Sequence, residues 1–231
     1  MPTVLAIKSL PFKHISETID IKILPLTSEL ANRWHSQVQP IIDRNYQHWT
    51  DGCEERLVRA DVGWNWPRIK SLKFLHDIGH SVSPTTFTKG LCVTVEFQGK
   101  DFPIGMLTLV PKYKCNVERW GFKGYMWYLS SAPQQIFIDI FRDDIIEGVA
   151  KSLIDCAIRA SYDEDGDGAL LLHADPNGGV VLRKYYLKNN FKQVPEANGR
   201  ITNFRWRNRT QYYHLTPQEA RLLVTIHDGW R

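Results

Sequence analysis

Three stretches hold side chains of types that can do chemistry. The first is SYDEDGDGALLLHADPNGG, Ser161–Gly179. Asp163, Asp165 and Asp167 alternate ahead of Gly168, which is how a calcium loop opens. Such a loop closes on a bidentate Glu, and the closing position counted from Asp163 holds Ala174. The intervening ALLLHA is a short apolar run that suits a buried strand. The acidic cluster therefore reads as a solvated turn, where Gly takes unusual dihedrals and Asp bonds its own backbone. The second stretch is FLHDIGH, Phe74–His80. Its His–Asp pair would suit an HD-type metal phosphohydrolase, and its H-x-x-x-H spacing a zinc protease. Both need helices, yet Gly79 lies inside the stretch, Pro84 soon follows, and Asp77 stands where the protease has Glu. A hairpin pattern comes next, against an all-helical scaffold, so no metal is expected. The third is NFRWRNR, Asn203–Arg209, which interleaves basic residues with Trp206. That pattern can bind RNA, but a solvated hairpin accounts for it, and nucleic acid is not an expected partner.

The elements that would position such groups must fit a chain of 231 residues, 43% hydrophobic, which is enough for one packed domain. No run approaches a membrane span, and the opening MPTVLAIKSLPFKHISE lacks the features of a secretory signal. Cys53, Cys92, Cys115 and Cys156 show no paired spacing. Free thiols and a cytoplasmic location are expected. A net charge of +4 permits an anionic ligand without pointing to nucleic acid.

Alternation predicts a strand over Thr18–Leu26, and capping residues then predict a helix carrying Leu30, Trp34 and Val38. Arg44–Ser83 resists parsing beyond a helix after Pro67. GLCVTVEF and FPIGMLTLVP around QGKD predict a hairpin, and GYMWYLSSAP a further strand. DDIIEGVAKSLIDCAIRAS reads as an amphipathic helix with acidic residues at its start. A strand GALLLHA, a helix GGVVLRKYYLKNNF, closing strands and a short helix TPQEARLLVTI complete the chain. The fold class is a mixed α/β sheet with an antiparallel first half. Its central strand–helix–strand–helix unit sets a helix N-terminus beside a strand end, where unpaired N–H groups favour an anion.

The run from WYLSSAP through IIEGVAKSLIDCAIRAS to GALLLHADPNGGVVLRKYYLKNNFKQV resembles the acyl-coenzyme-A-binding half of the GNAT superfamily of N-acetyltransferases. In element order the resemblance covers 88–215, with its sharpest part at 127–194. It implies a splayed sheet flanked by helices in a single domain over 1–231. An acceptor region over 18–87 would precede the acetyl-CoA core, and a helical tail would follow over 216–231. Gly148 and Ala150 match the G-x-A of the pyrophosphate loop, although Ile145 stands where that family has Gln or Arg. Backbone N–H groups of Glu147, Gly148, Val149, Ala150 and Lys151 would cradle the diphosphate. YYLKNNF matches the aromatic–Tyr…Gly–Phe signature with Asn190 for Gly, which Asn tolerates at a helix end.

The same resemblance implies roles for individual residues. Tyr186, favoured over Tyr185, would protonate the leaving thiolate. Leu129 and Ser130 would meet the pantetheine arm and the thioester oxyanion, and Asn177 and Lys184 would contact the coenzyme. Ser130 or Ser131 as a covalent nucleophile lacks an elbow motif and a triad. Glu96 is the first choice for the base, ahead of Glu118 and Asp139. Trp64 and Trp66, with Tyr46 and Trp49, would line the acceptor pocket. The expected function is direct transfer of an acetyl group from acetyl-CoA to a primary amine. The alternatives are an inactive acyl-CoA-binding module and, further off, the metal phosphohydrolase. A homodimer is possible; no membrane partner is expected.

Overall fold

Ile21 divides the strand expected over 18–26. β1 (Ser9–Pro11) pairs antiparallel with β2 (Thr18–Asp20), whereas β3 (Lys22–Pro25) joins the main sheet. The computed structural model describes residues 6–79, 86–117, 119–141, 145–195, 199–202, 205–206 and 211–231. Thr27 caps α1 (Ser28–Arg33), its hydroxyl accepting the Leu30 N–H at 3.2 Å. The helical run passes through a π turn, Trp34–Val38, into α2 (Gln39–Asn45). Pro40 explains that turn: it has no N–H to give one turn back, and the ladder re-forms around it. Residues 46–65 lack any periodic pattern and hold only a 3-10 turn at Glu55–Leu57 and a bridge between Gln47 and Val58. α3 (Trp66–Gly79) follows, with Pro67 in its first turn.

β4 (Lys89–Phe97) and β5 (Lys100–Val117) form the expected hairpin. Gln98 and Gly99 both have positive φ, 52° and 71°, the turn geometry that matches strand twist. β6 (Arg119–Ser131) returns antiparallel to β5. Beyond α4 (Gln134–Ile136), α5 (Val149–Asp163) crosses to β7 (Leu170–His173), which runs parallel to β6. Glu147, expected within that helix, precedes it; Gly148, at φ 81°, sets its start. α6 (Gly179–Lys188) ends where Asn190 adopts a left-handed φ of 63°, the conformation that Gly would supply. β8 (Lys192–Gln193), β9 (Arg200–Thr202), β10 (Arg205–Trp206), β11 (Tyr212–Leu215) and α7 (Pro217–Ile226) follow.

Among the described residues the main sheet has seven strands in the order β3-β4-β5-β6-β7-β11-β8, while β9 and β10 pair with each other. The mixed α/β architecture with an antiparallel first half is thus present, with β6–β7 as its parallel pair. Register assigns the faces. A Cβ on Gly105 would lie 2.8 Å from Val149 Cγ1, so this face of β5 packs on α5. Ser131 opposes Gly105 and Leu129 opposes Leu107, which puts both on the α5 face. Tyr128 and Ser130 point the other way, toward 46–65 and the first helices.

The four cysteines are free; Cys92, Cys115 and Cys156 are buried. Among the described residues no helix is long and apolar enough to cross a membrane, and no group of His, Cys, Asp or Glu could hold a metal. The side chains of His76 and His80 lie outside the described residues, while Asp77 accepts the Thr88 N–H at 2.8 Å and so ties α3 to the start of β4.

Candidate functional site

β6 and β7 pair only where Gly124–Met126 meets Leu170–Leu172. Beyond that they part. Met126 opposes Leu109 and Tyr128 opposes Thr108, so Trp127 is one residue too many for the ladder. Such a bulge bends and twists its strand, and it comes where β6 leaves β7. Across β5, the Ala132 N–H donates to the Ile104 carbonyl at 2.8 Å. Backbone groups alternate along a strand, so Ser130 and Tyr128 are turned to β5, and Leu129 and Ser131 are turned to the opening.

The opening is a cleft of about 500 Å³. Its walls include Arg59, Asp61 and Trp64 from the irregular segment, Tyr128–Ser131 of β6, Ala150 of α5, His173 at the end of β7, Asp175 just after it, and a stripe that runs from Gly178 into α6. That stripe is Gly178, Val181, Leu182, Tyr185 and Tyr186. Both tyrosines therefore line the cleft. The cleft spans more than the 100° between neighbouring helical positions. Their rings meet edge to face at 5.7 Å. Burial pushes both hydroxyls above the ordinary phenol range, so both are protonated at neutral pH. Tyr186 also packs on Phe191 and Tyr213. The Tyr185 hydroxyl is buried, with no hydrogen-bond partner among the described residues.

Arg59 and Asp61 form a two-pronged ion pair, Nε to Oδ1 at 2.8 Å and Nη2 to Oδ2 at 2.7 Å. Asp61 Oδ2 also accepts the Ser130 hydroxyl, and Arg59 Nη2 also donates to the Ser131 carbonyl at 2.6 Å. Burial opposes the Asp61 charge, but Arg59 and the Ser130 hydroxyl outweigh it and hold the carboxyl below its usual range. The sequence reading missed this pair. Its only local signal was a buried-type Asp between Ala60 and Val62, in a segment with no period to read.

At the start of α5, the Ser152 N–H makes the first helical bond, to Gly148 O at 2.8 Å. The N–H groups of Val149, Ala150 and Lys151 precede it and have no helical acceptor. Glu147 is different: its N–H donates to Pro11 O at 2.9 Å, and its side chain is exposed. The ring of Trp230 lies against Gly148, 2.7 Å from where a Cβ would stand. Val149 is a core residue, Lys151 is exposed, and Ala150 alone of this turn lines the cleft.

The other expected residues divide. Leu129, Ser130 and Trp64 line the cleft, with Trp64 edge-on to Tyr128 at 5.1 Å. Trp66 is core, packed against Trp34 and Trp64. Tyr46 lies under Arg59, and Trp49 packs so closely on Gly179 that no Cβ fits there. Asn177 sits in an exposed turn, its N–H accepted by Asp175 at 2.9 Å. Lys184 is paired with Glu55 at 2.6 Å, outside the cleft. Glu96 does not reach the cleft: it stands by the β4–β5 turn, mostly exposed, 3.5 Å from Lys22. Asp139 is exposed away from the cleft, and Glu118 lies outside the described residues. His173 and Asp175, which also line the cleft, were not singled out from sequence.

The fold and site together define a mixed α/β protein whose sheet parts beside a helix N-terminus. No family model matches the chain, and no curated protein matches it. Solved structures do. The chain is similar to Mycobacterium smegmatis RimJ in complex with CoA-disulfide, at 12% identity and a TM-score of 0.49, over 97% of this chain and 94% of that one. A PaiA N-acetyltransferase from Thermoplasma acidophilum, in complex with coenzyme A, is 17% identical with a TM-score of 0.45, over 85% and 97%. A Tyr-to-Phe variant of the AtaT toxin, bound to the C-terminus of the antitoxin AtaR and acetyl-CoA, is 11% identical with a TM-score of 0.47, over 89% and 98%.

Proposed function

We propose that the protein is a GNAT-type N-acetyltransferase that moves an acetyl group directly from acetyl-CoA to a primary amine. The observation that carries this reading is the parting of β6 from β7 next to the first turn of α5. N–H groups of that turn suit a diphosphate, because they lack helical acceptors and share the positive end of the helix dipole. A pantetheine arm entering the parting would pair with the edge of β6, and the Leu129 N–H is turned toward the place a thioester oxygen would take. The amine would come from the opposite face of the sheet. Val58, Trp64, Leu72 and Tyr128 there suit an amine carried on an apolar or aromatic body. It attacks the thioester carbon, and the proton it sheds passes to His173 or Asp175, directly or through water. Collapse of the tetrahedral adduct breaks the C–S bond, and Tyr186, protonated at neutral pH, gives its proton to the thiolate.

A second reading, an acyl-CoA-binding module without turnover, has its own support. Glu96, the carboxylate expected as the base, stands by the β4–β5 turn and does not line the cleft. Calorimetry with acetyl-CoA, followed by an amine panel monitored by thiol release, separates the two. Binding with release supports transfer, binding without release supports the module, and no binding refutes both.

A further inference from the structure

Burying a charged pair gains little stability, because desolvation offsets the attraction. Arg59 and Asp61 are nonetheless buried in the wall of the cleft, their side chains 18% and 6% exposed. Each partner reaches the end of β6. Asp61 accepts the Ser130 hydroxyl on the acceptor face, and Arg59 donates to the Ser131 carbonyl, which is turned to the opening. The pair thus grips one strand on two sides, at the point where β7 no longer flanks it.

We propose that Arg59 and Asp61 are positioning residues that hold the parted end of β6 in place of a neighbouring strand. This rests on the acetyl-transfer reading, in which the Leu129 N–H receives the thioester oxygen. The grip occupies the Ser131 carbonyl and leaves the Leu129 groups toward the opening, two residues away. It is anchored from behind. Gln39 donates to the Asp61 carbonyl and to Asp43, each at 2.8 Å. Arg59 lies 5.2 Å over the ring of Tyr46, whose hydroxyl donates to Gln135 at 2.9 Å. The strand end is therefore tied through one ion pair to α2 and α4. A hydrogen-bond donor stabilises developing charge only where it is held ready, so loosening it should cost turnover more than coenzyme affinity.

The test compares wild type with R59M/D61L, which removes both charges at once, and with Ser130→Ala, which keeps the ion pair. Acetyl-CoA affinity, thiol release and amide hydrogen exchange are measured for each. Expected for R59M/D61L is a kcat lowered about 100-fold, the scale of a small misplacement of reacting groups, with acetyl-CoA Kd within about threefold. Amides of 128–132 should exchange faster while those of β4 and α5 do not. Ser130→Ala should fall between the two in kcat. Wild-type kcat and exchange in R59M/D61L would overturn the proposal. Should that variant lose its fold throughout, Ser130→Ala decides alone, and an unchanged kcat would overturn it. Wild-type protein that binds acetyl-CoA and releases no thiol with any amine removes the transfer reading; exchange at 128–132 then decides the grip by itself.

Discussion

Tyr185 and Tyr186 carry the same group into one cleft, yet they should respond differently to losing it. Tyr186→Phe removes the proposed acid, so kcat should fall about 100-fold or more with acetyl-CoA affinity unchanged; an unchanged kcat, measured by thiol release, refutes the role. Tyr185 bears a buried hydroxyl with no partner among the described residues. Tyr185→Phe discards that uncompensated group, so urea unfolding should show stability unchanged or raised by up to about 1 kcal/mol. A loss larger than that would reveal a bond the hydroxyl makes. For the ion pair, Arg59→Met alone strands the Asp61 carboxylate and should cost about 3–5 kcal/mol, whereas R59M/D61L should cost far less. Acid should act through the same carboxylate. The folded-state pKa of Asp61 lies below the unfolded value, so the folded protein binds fewer protons there. Its contribution is complete above the unfolded Asp range and is lost as pH falls through the lower folded value. Urea midpoints should therefore drop below about pH 4, and less steeply in R59M/D61L.

At the scale of elements, Gly148 marks the junction of loop and helix. Its φ of 81° disfavours any side chain, and the Trp230 ring occupies the space a Cβ would take. Gly148→Ala should cost about 1–3 kcal/mol, read as a lower thermal midpoint, and adding Trp230→Ala should recover only the part due to the clash. The sequence made such features legible wherever a local rule set them. The β4–β5 hairpin followed from two β-rich runs around QGKD. Asn190 followed from its tolerance of a left-handed helix end. What stayed hidden depended on register between distant elements. Glu96 and Ser130 both lie on strands, yet only pairing reveals that one is remote from the parting and the other beside it. Trp64 and Trp66 are two residues apart in a segment without a period, and nothing local says that one lines the cleft while the other fills the core. Arg59 and Asp61 escaped notice because ion pairs bridging an irregular segment to a strand leave no mark on spacing.

For the whole molecule, ligand binding should register as stability. Acetyl-CoA at a hundred times its Kd should add about 2.7 kcal/mol to the unfolding free energy, whichever of the two readings holds. A thermal midpoint that ignores acetyl-CoA would refute both. The region that would respond is built from remote parts of the chain. Lys8 donates its N–H to Trp230 O at 2.7 Å, and Trp230 stacks on His227 at 4.5 Å. Behind them Asp155 of α5 receives Arg231 at 2.6 Å and His227 at 3.3 Å. The indole that walls Gly148 is carried by the segment after α7, so clipping the chain between α7 and Trp230 would uncover the start of α5 while leaving the strands of the sheet unbroken.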